Sequence, residues 1–180
     1  LTEEDVTEEE LDRDVQEQVG DIDRWATEDE IRYLRRFLED LQRLRRDSKR
    51  EHLLVLLERL FAESETIAVF TEYYDTLLDL REHLVPIYGS QVACYSGRGG
   101  EVWQDGKWQP ISRSELAALF REGRRVRLLL CTDAASEGLN LQTCGVLVNY
   151  DLPWNPMRVE QRIGRFDRIG QRYPVVRIVH

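Results

Sequence analysis

Sulfur-containing residues and long apolar runs are scarce in this chain. Methionine occurs once, at Met157, and the three cysteines, Cys94, Cys131 and Cys144, lack CxxC spacing. A thiolate metal site is therefore not indicated, and an odd number of cysteines cannot pair off completely within one chain. We expect buried free thiols in a reducing cytoplasm. No apolar run approaches the ~20 residues that span a bilayer and no signal sequence opens the chain, so no membrane partner is expected.

A phosphate-binding loop is also lacking. The sequence contains no GxxxxGK[ST] string and no DExH-like acidic box for Mg²⁺. The pair Gly106-Lys107 lacks the preceding glycine and is followed by Trp108. The chain by itself is therefore not expected to hydrolyse a nucleotide or to bind one tightly. The chain begins at Leu1, and its single methionine is Met157. We therefore expect it to be a piece of a longer protein.

The acidity of the chain is concentrated at one end. The net charge is −9, but residues 1–30 alone hold 14 acidic and two basic residues, a balance of −12. Removing these from the totals leaves 23 basic and 20 acidic residues in 31–180, a balance of +3. Residues 1–30 are predicted to be an acidic, partly disordered arm. The alternative is a mimic of nucleic-acid charge that shields a basic surface.

Residues 31–64 read as a helical lead-in. Apolar residues recur at helical spacing in 31–44 and again in 53–61, which predicts two amphipathic helices. The first carries many arginines, which favours a solvated face, with contact to phosphate as the alternative. These arginines are Arg32, Arg35, Arg36, Arg43, Arg45 and Arg46.

From residue 65 to 180 short apolar runs alternate with helical segments. Strands that are apolar on both faces and separated by helices predict an α/β fold, a parallel sheet sandwiched by helices. In such sheets ligands meet the loops at the carboxyl ends of the strands. The predicted strands are Thr66–Phe70, Gln91–Tyr95, Val126–Cys131, Gly145–Tyr150 and Val175–Val179. The predicted helices are Tyr73–Leu84, Arg113–Glu122 and Pro156–Phe166.

An insert at 97–110, GRGGEVWQDGKWQP, interrupts this alternation. Asp105-Gly106 lies between two short alternating runs and predicts a two-residue turn in a β-hairpin. Trp103 and Trp108 are then expected to face each other across the strands. The favoured interpretation is a self-packing aromatic pair, and the alternative is a platform for a nucleic-acid base.

The string EQRIGRFDRIGQ at 160–171 carries the strongest chemical signal. On a helix, Val159, Ile163 and Phe166 share one side, whereas Gln161, Arg165 and Arg168 share another. Guanidiniums are permanently charged and suit bidentate contact with phosphate, so this second side predicts an anion partner. The alternative is a set of surface ion pairs with Glu160 and Asp167.

Two further strings follow predicted strands. TDAASEGLNLQ at 132–142 offers small residues and a helix start, which allow close approach of an anion, although Thr132 and Asp133 could merely cap a short helix. YDLPWNP at 150–156 reads as a rigid turn that feeds the last helix.

Together, in this order and spacing, these strings resemble the second RecA-like lobe of superfamily-two helicases. TDAASEGLNLQ is similar to motif V, YDLPWNP to the segment after it, and RVEQRIGRFDRIGQ to motif VI. The segment at 67–84 resembles motif IV with its helix. The resemblance is closest to the Swi/Snf-type branch, particularly bacterial members similar to the RNA-polymerase-associated ATPase, and it extends from about Asp47 to His180.

The resemblance implies a role for each matching position. Arg165 and Arg168 would be arginine fingers for an ATP whose phosphates and Mg²⁺ are held mainly by an N-terminal RecA-like lobe, with Gln161 supporting them. Gly138 and Asn140 would lie beside the nucleotide. Double-stranded DNA would be gripped along its backbone, and Trp154 is expected to pack beside that groove. The implied nucleic-acid contacts are Thr71, Ser96, Gly97, Thr132 and Trp154.

Three functions are compatible with these motifs. The favoured one is half of an ATP-dependent DNA translocase that acts in the cytoplasm, associated with the nucleoid, on RNA polymerase or another nucleoprotein complex. A binding module that keeps the fold without catalysis is the second, and a lobe of a DEAD-box-like RNA helicase is the third. Asn140 and Asp167 favour the Swi/Snf branch over the DEAD-box branch.

Overall fold

The computed structural model describes residues 28–44, 46–63, 66–133, 139, 141–167 and 170–180. The chain divides into two compact units, Leu1–Asp47 and Ser48–His180. The acidic arm predicted for 1–30 lies outside the described residues except for its last three. The predicted lead-in at 31–64 is divided between the two units, because its second helix begins at Ser48.

The first unit contains helix α1, Glu28–Arg43. Its apolar side chains, among them Leu34 and Phe37, are exposed. Among its arginines, Arg32 pairs with Asp29 at 2.6 Å and Arg43 with Asp40 at 3.4 Å. These exposed pairs fit the solvated face predicted for this helix, and they contribute little stability because water screens them.

A seven-stranded sheet forms the second unit, in the order β4-β3-β2-β5-β1-β6-β7. The strands β2, β5, β1, β6 and β7 are parallel, which confirms the predicted α/β class. The crossovers from β1 to β2, from β2 to β5 and from β6 to β7 each place a described helix on one face of the sheet, and both faces of the central strands are buried. The strands are β1 Ile67–Thr71, β2 Val92–Ser96, β3 Gly99–Gln104, β4 Lys107–Ile111, β5 Leu128–Thr132, β6 Val146–Asn149 and β7 Arg177–Val179.

Helices cover the two faces in pairs. On one face, α2 and α3 bury leucines such as Leu57 and Leu80 against β1 and its neighbours. On the other face, α4 and α5 bury Leu116, Phe120 and Phe166. The sheet is therefore the middle layer of three. The helices are α2 Ser48–Glu63, α3 Tyr74–Tyr88, α4 Arg113–Glu122 and α5 Pro156–Phe166.

Local capping chemistry fixes where α4 and α5 begin. The hydroxyl of Ser112 accepts from the Glu115 amide and the Glu115 carboxylate accepts from the Ser112 amide, which completes the predicted capping box. The Asn155 side chain accepts from the Met157 amide at 3.0 Å, and Pro156 occupies the first turn of α5.

The insert forms the hairpin β3–β4 and extends the main sheet. Asp105 and Gly106 have φ values of 53° and 77°, as a two-residue type I′ turn requires. Trp103 and Trp108 pair across the strands, with ring centroids 5.5 Å apart in an edge-to-face arrangement. Arg81 of α3 covers the Trp108 ring at 4.9 Å. The two rings thus pack against each other and Trp108 contacts α3, which agrees with the self-packing pair that the favoured interpretation predicted.

All three cysteines are buried free thiols, as expected. Burial raises the pKa of Cys144 to about 12, and it also raises the pKa of Cys94 and of Cys131 above the ordinary value. They remain protonated at neutral pH and pack as small apolar side chains. Within the described part of the chain, no helix combines the length and apolarity needed to cross a membrane.

Candidate nucleotide and nucleic-acid site

Polar side chains mark the carboxyl edge of the sheet. Thr71, Ser96, Thr132 and Asn149 are the last residues of β1, β2, β5 and β6. All four are buried. Because these strands are parallel neighbours, their final residues meet along one edge, which is where α/β sheets bind ligands.

Arg162 of α5 is the centre of a buried polar network at this edge. Its side chain is 1% exposed and forms two parallel hydrogen bonds with Asp133, Nε to Oδ1 at 2.6 Å and Nη2 to Oδ2 at 2.7 Å. Its Nη1 donates to Asn149 Oδ1 at 2.7 Å and to the Asp151 carbonyl at 2.8 Å. The guanidinium also lies 5.4 Å above the Phe70 ring.

This network joins α5 to two strand ends. A buried guanidinium is costly unless its donors are paired, and here every nitrogen has a carboxylate, amide or carbonyl acceptor. The motif predicted functional roles for Gln161, Arg165 and Arg168 but none for Arg162. The helical spacing did contain the signal, because Arg162 lies three residues after Val159 and four before Phe166 and so shares their buried side.

The Asp151 side chain forms a second group of contacts. Its carboxylate accepts hydrogen bonds from Lys49 Nζ at the start of α2 and from Thr71 Oγ1. Lys49 Nζ also lies 4.1 Å above the Tyr150 ring. Burial raises the pKa of Asp151, but the hydrogen bonds and charge of Lys49, with the bond from Thr71, lower it by more, so the pKa lies below its ordinary value.

Arg165 lies on the predicted anion-facing side of α5. It is half-buried, and its Nε is buried without a hydrogen-bond partner among the described residues. The alternative of ion pairs with Glu160 or Asp167 is not seen: in the described structure neither carboxylate pairs with it. Gln161 is exposed on the same helix. An unpartnered buried donor of this kind suits an anion supplied from outside the lobe.

Three predicted site residues cannot be located at this edge. Arg168, Gly138 and Asn140 lie outside the described residues. Their implied contacts with the nucleotide stay predictions.

The predicted nucleic-acid contacts fall into two groups. Thr71, Ser96 and Thr132 are buried at the carboxyl ends of their strands, so these side chains are little exposed at the surface. Gly97 is exposed in the turn after β2. Trp154 is 99% exposed, immediately before Asn155 and Pro156 at the start of α5. Its place beside a nucleic-acid groove stays a prediction.

A metal centre is not formed by the described residues, which contain no group of three His, Cys, Asp or Glu side chains suited to an ion.

The fold and the site define a RecA-like lobe of the kind found in superfamily-two helicases. Residues 48–170 match the family described as helicase conserved C-terminal domain, and the chain belongs to this family. The match begins where the second compact unit begins and ends at residue 170, one residue before the end of the string at 160–171.

Curated relatives are bacterial. The chain is 35% identical over 140 residues to the uncharacterized ATP-dependent helicase YqhH of Bacillus subtilis, covering 77% of this chain and 22% of that protein. It is 39% identical over 119 residues to the RNA polymerase-associated protein RapA of Vibrio cholerae, covering 65% of this chain and 11% of that protein. The chain thus spans less than a quarter of the length of either relative. The Swi/Snf-type resemblance predicted from the motifs is confirmed.

Solved structures share the fold. The C-terminal part of the Fun30 ATPase domain matches with a TM-score of 0.59 at 21% identity, over 74% of this chain and 40% of that one. The C-terminal domain of the DEAD-box protein Dbp5 matches with a TM-score of 0.52 at 26% identity, over 74% of this chain and 71% of that one.

Proposed function

We propose that this chain is the second motor lobe of an ATP-dependent DNA translocase or remodeller. ATP binds between this lobe and an N-terminal RecA-like lobe, which holds the phosphates and Mg²⁺. This lobe supplies Arg165 and Arg168 as arginine fingers and Gln161 as their support, while Gly138 and Asn140 lie beside the nucleotide. The names of the relatives support ATP dependence.

The buried Nε of Arg165, which has no hydrogen-bond partner among the described residues, is the observation that carries this proposal. Phosphoryl transfer is catalysed mainly by positioning and by stabilising charge on the phosphate oxygens. An arginine finger therefore needs a helix held in a fixed position and a guanidinium N–H group that is available to the phosphate oxygens. Arg162 provides the first by bonding α5 to Asp133 and Asn149, and Arg165 provides the second.

The arginine fingers lie on this lobe, whereas the phosphate-binding loop lies on the N-terminal lobe. This separation couples ATP hydrolysis to movement of the two lobes. Hydrolysis requires closure of the two lobes, and closure moves the nucleic-acid contacts of one lobe relative to the other. In this lobe the proposed contacts are the strand ends Thr71, Ser96 and Thr132, the exposed Gly97, and Trp154. The full exposure of Trp154 makes it available to a sugar or base.

The proposal extends to the setting of the whole protein. The similarity to RapA supports RNA polymerase or another nucleoprotein complex as the partner, and the cytoplasm with its nucleoid as the location. The acidic residues 1–30 are proposed to be an arm outside the lobe, which spans residues 65–180 with its hairpin at 97–110.

DNA-stimulated ATP hydrolysis by the lobe joined to a nucleotide-binding N-terminal lobe tests this function. Arg165→Ala and Arg168→Ala should each lower kcat by about 10³-fold or more, as arginine fingers do in GTPases. Arg158→Ala is the matched control, because Arg158 lies on the same helix in a long, exposed pair with Glu72. Unchanged turnover in both finger variants would eliminate the finger assignment, whereas absence of DNA-stimulated hydrolysis by the unsubstituted two-lobe protein would leave a binding module without catalysis. ATP hydrolysis by the isolated chain would contradict the two-lobe arrangement.

An RNA helicase of the DEAD-box kind is the second candidate. The C-terminal domain of the DEAD-box protein Dbp5 and the E. coli DEAD-box protein SrmB, with TM-scores of 0.52 and 0.53, share the fold at 26% identity. A strand-displacement assay on the two-lobe protein distinguishes them, because a translocase moves along a duplex without separating it, whereas a DEAD-box helicase unwinds short RNA duplexes.

A further inference from the structure

Arg98 lies in the turn that joins β2 to β3, within the insert that departs from the compact family pattern. This turn follows Ser96, so it lies at the carboxyl edge of the sheet. Arg98 is exposed, and so is Tyr73 just after the end of β1. Neither Arg98 nor Tyr73 was among the predicted contacts.

Backbone and side-chain contacts fix the position of this turn. The Ser96 hydroxyl accepts a hydrogen bond from the Arg98 amide at 3.2 Å. Gly99 has a φ of 107°, which side chains rarely allow. A Cβ on Gly100 would lie 2.9 Å from the Ile111 carbonyl oxygen, so β3 approaches β4 more closely there than another residue permits. The two glycines after Arg98 thus set the direction in which the chain leaves the turn.

The guanidinium of Arg98 is held in place without being neutralised. It lies 4.2 Å from the centroid of the Tyr74 ring, within the range of a cation–π contact. Contact with the ring face leaves the planar N–H edge available. Among the described residues, no carboxylate forms an ion pair with it.

Nearby carboxylates are already committed. At the same edge of the sheet, each of three acidic side chains has its own cation, and Asp75 occupies the first turn of α3, where the helix dipole favours a carboxylate. The three pairs are Asp133–Arg162, Asp151–Lys49 and Glu72–Arg158. Arg98 is therefore a pre-positioned positive charge at an edge whose negative charges are compensated.

We infer that Arg98 binds a backbone phosphate of the DNA, next to the implied contacts Ser96 and Gly97. The inference rests on the proposed function, since it assumes that this edge grips nucleic acid. A guanidinium can meet phosphate oxygens with two N–H groups. Because Tyr74 already restricts the side chain, binding orders fewer rotamers than it would for an unrestrained arginine.

Salt-dependent DNA binding by the 180-residue chain tests the inference. Anisotropy of a short fluorescein-labelled DNA duplex is titrated with the chain at several KCl concentrations. Losing one phosphate contact lowers the slope of log K against log[KCl] by about 0.9 and weakens binding about five- to tenfold near 0.1 M salt. Arg98→Ala should show both effects, whereas Arg98→Lys should keep the slope because it keeps the charge.

Arg124→Ala is the control, since Arg124 is an exposed arginine before the start of β5, at the opposite edge of the sheet. It removes the same net charge and should leave the slope unchanged. Equal slopes for Arg98→Ala and the unsubstituted chain would overturn the assignment of Arg98 alone. If the unsubstituted chain shows no salt-dependent DNA binding, the proposed contact between this edge of the sheet and DNA is itself overturned. An unchanged urea midpoint for Arg98→Ala verifies that the fold is intact.

Discussion

Arg162 and Asp133 form a two-bond ion pair, Nε to Oδ1 at 2.6 Å and Nη2 to Oδ2 at 2.7 Å, that ties α5 to the carboxyl end of β5. The pair joins the helix that carries Arg165 to the segment that begins motif V. Asn149, at the end of β6, adds a third attachment.

Removing one partner of this pair should destabilise the lobe strongly. Arg162→Met removes the two bonds to Asp133 and the bond to Asn149, and loss of one member of a buried pair costs about 3–5 kcal/mol in the free energy of unfolding. Urea unfolding followed by circular dichroism measures it. Arg158→Ala, which breaks an exposed pair on the same helix, should change that free energy by less than about 1 kcal/mol. Similar small losses in both variants would show that the Arg162 network does not support α5.

Acid should weaken the lobe partly through Asp151. Because its pKa in the folded state lies below the ordinary value of 3.8, the charged carboxylate contributes stability above that value, and this contribution is lost as the pH falls through the folded pKa. Asp151→Asn should therefore lower stability at neutral pH and flatten its decline in acid. Urea midpoints measured from neutral pH into this acid range give both quantities.

Asp105→Asn serves as the control for acid unfolding, because it changes an exposed carboxylate in the hairpin turn, where asparagine tolerates the positive φ. Its curve should run parallel to that of the unsubstituted chain. A parallel curve for Asp151→Asn as well would contradict a stabilising role for the contacts from Lys49 and Thr71.

The three cysteines should be unreactive in the folded lobe. Each is at most 1% exposed, and burial raises the pKa of Cys144 to about 12, so thiolate is scarce at neutral pH. We expect Ellman's reagent to label none of them rapidly in buffer and all three in urea. Ser90→Cys, at an exposed position, should add one fast-reacting thiol. Fast labelling of the unsubstituted chain would contradict the described core.

Gly100 and Gly164 should respond to alanine in opposite directions. A Cβ at Gly100 meets the backbone oxygen of Ile111 at 2.9 Å and Leu116 Cδ2 at 3.2 Å, so Gly100→Ala must displace the hairpin. Gly164 lies within α5 with no described atom within 4 Å of such a Cβ. Gly164→Ala should stabilise the helix by about 0.5–1 kcal/mol. Thermal unfolding compares the two, and a stabilised Gly100→Ala variant would contradict the close approach of β3 to β4.

Periodicity and local chemistry predicted most of the elements. The predicted helices Arg113–Glu122 and Pro156–Phe166 have the observed bounds, because Ser112 and Asn155 supply caps that act within a single turn. The central strands lie within one or two residues of their predicted positions at most ends, because apolar runs mark buried parallel strands. The Asp105-Gly106 turn could be predicted from the sequence because its backbone conformation depends on two adjacent residues.

The sequence by itself determined the α/β class, the caps, the hairpin turn and the motifs that mark a helicase lobe, because each depends on neighbours along the chain or on periodic burial. Only the tertiary structure decided that the buried Arg162 bonds to Asp133 and Asn149, and that the Arg165 Nε has no hydrogen-bond partner among the described residues. It also decided that Lys49, more than a hundred residues away in sequence, holds Asp151, and that Arg98 rests on Tyr74. These contacts join separate strands and helices, and their partners are chosen by the order of strands in the sheet, which local sequence does not encode.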